Sequence, residues 1–168
     1  MAASDGVFLF IATYPDEAAA QADYDVVKAL HGASAIGDFD AAVVTKDAKG
    51  KVHVNKDETT TRKGIWGGVA VGAVLGILFP PSILASAAVV GAAGGVAGHL
   101  WGGLSRSDVK ELGEVIDEGE AALLVIGDLT VSEAMEKAQL RAVKEIRRQV
   151  NVNLDDLEKD IKDAHANS

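Results

Sequence analysis

The chain contains no cysteine, which excludes disulfides, thiolate nucleophiles and thiolate-ligated metals at the outset. Aromatic residues make up 5% of it, although hydrophobic residues make up 48%. The apolar material is therefore Ala, Val, Leu and Ile set among glycines, and not the Phe, Tyr and Trp that dominate many ligand pockets. Positive charge is short: 16 Lys and Arg stand against 25 Asp and Glu, giving a net charge of −9 and a pI near 4.8. Nucleic acid is a poor partner for such a chain, because duplex binding needs a basic face that displaces counterions. No Lys or Arg precedes the first apolar run, Val7 to Ala12; Asp5 precedes it and Pro15-Asp16-Glu17 follow closely. That pattern is unlike a secretory signal. The longest absence is of charge itself: across the 41 residues from Gly64 to Leu104 there is no Asp, Glu, Lys or Arg.

At 168 residues the chain has room for one domain with a sizeable core plus an insertion. Outside the charge-free run, the pattern reads as alternating strands and helices. Val7 to Thr13 is a continuous apolar stretch suited to a strand buried on both faces. Pro15 with Asp16 and Glu17 predicts a helix start, Ala19, Ala22, Val26, Ala29 and Leu30 keep helical spacing, and Gly32 closes it. Phe39 to Thr45 predicts a second strand, Asp47-Ala48-Lys49-Gly50 a turn, and Lys51 to Asn55 a third strand folding back as a hairpin. Further on, Ser107 is the expected cap of a helix carrying Val109, Leu112 and Ile116 on one face and ending at Gly119. Ala121 to Ile126 is another strand. The order β-α-β-β-α-β is that of the ferredoxin-like, split βαβ unit. Thr130-Val131-Ser132-Glu133 has capping-box spacing and predicts a long helix from about Ser132 to Val150. Asn151 and Asn153 break it before a short helix with a narrow stripe of Leu154, Leu157, Ile161 and Ala164, expected to pack on a neighbouring subunit or on the sheet. The expected architecture is thus α+β: a ferredoxin-like βαββαβ domain (5–61 and 107–128), an inserted glycine-zipper helical hairpin (62–106) and a C-terminal helical tail (130–168).

Within the charge-free run, Pro80 and Pro81 separate two arms, roughly Ile65–Phe79 and Ser82–Leu104, since two prolines cannot sit inside one regular helix. Gly64, Gly68, Gly72 and Gly76 recur every fourth residue on the first arm. Gly91 and Gly95 do so on the second, with Gly94, Gly98 and Gly102 in parallel register. On helices this spacing makes a smooth groove where another backbone can approach. Eleven of the 18 glycines lie in the run, and each costs about 1 kcal/mol relative to Ala in a water-exposed helix. A helical hairpin therefore requires packing partners: other helices, lipid, or both. Arg62 and Lys63 before the run and Arg106 after it place both ends on one side of a bilayer, cytoplasmic by charge bias, and Trp66 and Trp101 sit where interfacial indoles anchor. Length complicates a full crossing, because about 20 helical residues are needed and the first arm is shorter. A first arm that tilts little and thins the bilayer, a re-entrant pair, or burial of the hairpins inside a homo-oligomer all remain open, as does a hairpin buried in a soluble core.

The strand Phe39-Asp40-Ala41-Ala42-Val43-Val44, the turn from Asp47 to Val52, the hairpin from Gly64-Ile65-Trp66-Gly67-Gly68 through Phe79-Pro80-Pro81, and Asp108-Val109-Lys110-Glu111-Leu112-Gly113 leading to Glu120-Ala121-Ala122-Leu123 together resemble a bacterial domain-of-unknown-function family, number 1269, of predicted membrane proteins. The resemblance covers most of residues 5–127. It implies bacterial origin and membrane association, and it brings no activity and no catalytic residues.

Little in the sequence points to catalysis. His31, His53, His99 and His165 show no ligand spacing, and the glycines match neither phosphate-binding pattern, G-x-x-x-x-G-K-[ST] or G-x-G-x-x-G. No cofactor or metal is expected. His99 lies in the apolar arm beside Trp101, as a neutral interfacial residue or a proton-sensitive one. Lys137, Arg141, Lys144 and Arg148 recur at 4-3-4 spacing and would form one basic stripe on the long helix, solvated or facing anionic lipid or a neighbouring subunit. The leading expectation is a non-enzymatic, membrane-associated homo-oligomer, structural or pore-like, with a role in envelope stress; its partners are itself and the bilayer. The alternatives are a soluble shell, ring or apolar-ligand carrier that buries its hairpins, and a small-molecule sensor built on the ferredoxin-like sheet.

Overall fold

The computed structural model describes residues 6–37, 39–47, 49–55, 69–79, 102–118, 121–138 and 142–166. Among these the order is β1 (Val7–Tyr14), α1 (Glu17–Gly32), β2 (Phe39–Lys46), β3 (Val52–Asn55), α2 (Val69–Leu78), α3 (Arg106–Glu118), β4 (Ala121–Gly127), α4 (Thr130–Lys137), β5 (Lys144–Val150) and α5 (Leu154–Ala166). The protein is α+β. Its five strands form one sheet in the order β3-β2-β4-β1-β5, antiparallel throughout.

The three central strands, β1, β2 and β4, are the apolar runs, as expected for strands covered on both faces. Alternation along each strand divides the core in two. Val7, Leu9 and Ile11 of β1, Ala42 and Val44 of β2, and Leu124 and Ile126 of β4 face a layer made of α2, α3 and α5. Phe8, Phe10 and Tyr14, with Phe39, Val43, Leu123 and Val125, face α1 and α4. Both helices of this second layer connect strands that run parallel with one strand between them, β1 to β2 and β4 to β5.

Local signals account for most element ends. Asp16, rather than Pro15, caps α1, accepting a hydrogen bond from the Ala19 N–H at 2.8 Å. Gly32 is the last helical residue, and the left-handed residue that turns the chain is Ser34, at φ 61°. The cap of α3 is Ser105, not Ser107: its hydroxyl accepts from the Asp108 N–H at 3.1 Å, while the Ser105 N–H donates to Asp108 Oδ2 at 3.2 Å, a reciprocal box with aspartate as its acid. Thr130 caps nothing; the residue before it, Leu129, makes no side-chain cap.

The largest correction concerns the C-terminal third. The helix expected from Ser132 to Val150 ends at Lys137 as α4, and Lys144–Val150 is instead β5, paired with β1 so that Ile146 stands opposite Ile11. The C-terminal segment is therefore not a helical tail but helix, strand and helix, with its strand inside the sheet. Glu, Lys, Arg and Gln are helix formers, but the open edge of β1 gives this segment seven residues of ladder partners, which outweigh a weak propensity. Asn153 then caps α5 through the Asp156 N–H at 3.0 Å. Leu157 and Ile161, from the narrow stripe, are buried in the chain's own core. The second helix-linked strand pair is β4-α4-β5, whereas the sequence pattern had suggested β3-α3-β4; β3 sits at the outer edge beside β2.

Candidate functional site

The feature that sets this chain apart is the uncharged run, and the described residues show how its two ends are held. At its start, α2 is apolar on every side. Val71, Ala73, Val74 and Leu75 are buried, as is Phe79 just after the helix, and they pack over β2 and β4 between α3 and α5. The helix is anchored by Asp40, a buried residue in β2, whose Oδ2 accepts the Val71 N–H at 3.0 Å. That N–H lies in the first described turn of α2, where backbone donors take partners from outside the helix. At the C-terminal end of α2, the Leu78 carbonyl lies over Gly113 of α3, where a β-carbon would stand at an ordinary contact distance of 4.0 Å from it.

The run returns at Gly102 and Gly103. A β-carbon on Gly103 would meet Val150 Cγ1 at 2.5 Å and the Asn151 carbonyl at 2.8 Å, so glycine is what lets this backbone lie against the end of β5. Two residues later the Ser105–Asp108 box starts α3. Asp108 Oδ1 also accepts from Arg148 Nε of β5 at 3.2 Å, and the same guanidinium reaches Glu111. The Ser105 backbone N–H, followed by the Ser105 hydroxyl contact and Arg148, holds the Asp108 carboxyl below the usual carboxylate range. Both ends of the run are thus fastened to the same layer of the domain.

Elsewhere, described polar side chains pair with one another and with backbone groups. The Tyr14 hydroxyl donates to Asp23 Oδ2 at 2.7 Å inside the second core layer, and burial together with this bond pushes its pKa well above the ordinary phenol range. Asp47 accepts from the N–H groups of Lys49 and Lys51, each at 2.9 Å, and its Oδ2 lies 2.8 Å from His53 Nε2. The His53 contact and the Lys51 N–H lower its pKa. At the opposite end of β2, the Gly37 N–H donates to Thr130 Oγ1 at 2.8 Å, and the Thr130 hydroxyl donates to Asp128. His31 packs against Phe39 with ring centres 5.1 Å apart. Among the described residues no group of three or more His, Cys, Asp or Glu is placed to hold a metal.

Of the residues singled out by sequence, Gly72 and Gly76 lie on α2, Gly102 stands at the return, and Arg106 is the first residue of α3. Arg62, Lys63, Gly64, Trp66, Gly68, Pro80, Pro81, Gly91, Gly94, Gly95, Gly98, His99, Trp101 and Arg141 fall outside the described residues. The basic stripe does not exist as a helix face: Lys137 ends α4, Lys144 and Arg148 lie on β5, and Arg148 is engaged by Asp108 and Glu111. No helix among the described residues is long and apolar enough to cross a membrane. The anchors Asp40, Gly103, Ser105 and Asp108 were not singled out, though two left traces. Asp40 is the lone acid in an apolar strand, and Ser105-Arg106-Ser107-Asp108 has cap spacing.

These features define a small α+β domain in which α2, the described part of an uncharged, glycine-rich run, belongs to one of its helical layers. Residues 65–164 match the family described as Protein of unknown function (DUF1269), and the chain belongs to that family. The matched region runs from the apolar run through α5. It therefore includes β5, and it leaves out β1, α1, β2 and β3, where part of the sequence resemblance had been read. Neither the curated proteins nor the solved structures contain a match to this chain.

Proposed function

We propose that the protein is a non-enzymatic, membrane-associated homo-oligomer with a structural role, in which the α+β domain stands at the cytoplasmic face and the apolar run after Pro80-Pro81 contacts lipid and neighbouring copies. The observation that carries this reading is the double fastening of the run, by Asp40 at its start and by Gly103, Ser105 and Asp108 at its return. With α2 seated on the sheet, 22 residues (80 to 101) remain between the fastened ends, none of them charged. Two helical crossings of a bilayer need about 40 residues, and extended lipid-facing backbone is too costly. The run therefore enters one leaflet and returns on the same side, with the Gly91/Gly95 and Gly94/Gly98/Gly102 spacing as the zipper between copies. This favours a re-entrant, scaffolding role over a pore. We read the β1-α1-β2 and β4-α4-β5 units, which share one helical layer, as the two halves of a ferredoxin-like sheet extended at its edge by β3. A role in envelope stress fits such a peripheral scaffold.

Fractionation of cells expressing the full chain, with light scattering of the extracted protein, tests this. The wild type is expected in the membrane fraction and Gly95→Leu is expected to give a smaller particle; a wild type found as a monomer in the soluble fraction would overturn the proposal. One observation favours a second reading, a soluble homo-oligomer that buries the run between copies: α2, a quarter of the uncharged run, is already covered by its own domain. That reading predicts a large soluble particle without detergent.

A further inference from the structure

β5 is one margin of the sheet, and its described pairing is with β1 alone. Among the described residues the outer edge from Lys144 to Gln149 carries no paired strand; it extends about 20 Å and presents backbone groups to which a further strand can bond. Its side chains fall into two sets. Ile146 packs under the α2, α3 and α5 layer, and Arg148 meets Asp108 and Glu111 on that side, so Lys144 shares this face by alternation. Arg147 lies over the Phe10 ring, with 5.5 Å to its centre, and pairs with Glu145 at 3.2 Å on the opposite face.

We propose that a second copy of this chain docks antiparallel along β5, with the two-fold axis at Ile146. In this register Glu145 stands opposite Arg147 of the second copy, and Arg147 opposite its Glu145, so both of these pairs join unlike charges. Ile146 opposes itself. Lys144 opposes Arg148, whose guanidinium is shared by Asp108 and Glu111. One cation and two carboxyl groups leave that cluster net negative when both are ionised, so Lys144 of the second copy meets complementary charge. Centring the axis on Arg147 would instead set Arg147 against itself, and an odd offset would oppose residues of different faces. Charge complementarity thus selects one register and one occupant. This contact is separate from the apolar run, so the two associations fail independently.

Because the chain has no cysteine, Ile146→Cys in the full chain introduces a single thiol that opposes itself. Mild oxidation is expected to give a disulfide dimer. Gln149→Cys, which faces position 143 of the second copy in this register, is expected to stay uncrosslinked. Glu145→Arg should halve the particle mass in light scattering, and the exchanged pair Glu145→Arg/Arg147→Glu should restore it, with circular dichroism confirming that each variant folds. Equal cross-linking at 146 and 149, no cross-linking at 146, or an unchanged mass for Glu145→Arg overturns the interface. Membrane fractionation of Glu145→Arg is expected to match the wild type, which keeps this test apart from that of the apolar run.

Discussion

Asp40 of β2 accepts the Val71 backbone N–H of α2 at 3.0 Å, across 31 residues of chain. The bond places a polar group beneath an otherwise apolar layer, where a buried backbone N–H left without an acceptor is costly. It makes the beginning of the uncharged run part of the domain's core.

Removing that acceptor is expected to loosen α2 before the sheet. Asp40→Ala should destabilise the protein by about 1–3 kcal/mol, the range for stranding a buried donor, and Asp40→Asn, which keeps an acceptor oxygen, by less. Urea unfolding gives the magnitude, and hydrogen exchange resolved to α2 gives the location. Equal protection of the Val71 amide in wild type and Asp40→Ala would refute the anchor.

Neighbouring glycines at the return of the run should respond in opposite ways. Gly103→Ala puts a methyl against Val150 and Asn151 and is expected to cost about 1–3 kcal/mol through overpacking. Gly102 has open space at its β-carbon position within its own chain, so in unfolding of the domain Gly102→Ala should be neutral or, by helix propensity, up to about 1 kcal/mol stabilising. Thermal or urea unfolding of the two variants separates them.

The buried Tyr14–Asp23 pair makes a prediction at alkaline pH. The folded-state pKa of Tyr14 is raised, so its stabilisation is complete below the unfolded tyrosine value near 10. Stability is lost as pH rises above that value toward the folded one. The wild type should therefore lose stability above about pH 10, and Tyr14→Phe should lack that contribution. At neutral pH the variant is expected to be destabilised by about 1–3 kcal/mol, because the Asp23 carboxyl loses a buried donor. Urea midpoints measured across pH 7 to 11 provide the check.

Asp108 predicts the reverse at acid pH. Its folded pKa is depressed, so its contribution is present above the unfolded value near 3.9 and is lost as pH falls through the lower folded value. Asp108→Ala should remove the acid half of the Ser105 capping box and flatten this part of the acid limb. A double-mutant cycle with Arg148→Ala should give a coupling of no more than about 1 kcal/mol, since the pair is partly exposed. Asp47 behaves with the same sign, and an acid titration that follows the Asp47 carboxyl in wild type and in His53→Ala reads the contact directly.

The central strands were legible in the residues because Val7–Thr13, Phe39–Thr45 and Ala121–Ile126 are too continuously apolar to be anything but doubly covered. The helix ends were legible less often. Asp16 and Ser105 compete with nearby Pro15 and Ser107, and only the geometry of a bond distinguishes a cap from its neighbour. β5 was not legible. Lys144-Glu145-Ile146-Arg147-Arg148-Gln149 has helix-forming residues and helical charge spacing, and what makes it a strand is the unpaired edge of β1, contributed by residues more than 130 positions earlier.

Composition alone settled that this chain has no thiol chemistry, that it carries excess negative charge, and that one stretch of 41 residues avoids charge altogether. Those are properties of side chains and need no partner to define them. Where the stretch begins to pack was decided by tertiary contacts, because a helix that is apolar on every side suits lipid and a sheet face equally. Asp40, Gly113 and the underside of β2 and β4 resolve that for α2. The same holds for the basic residues of β5, whose roles depend on which acids the fold brings beside them.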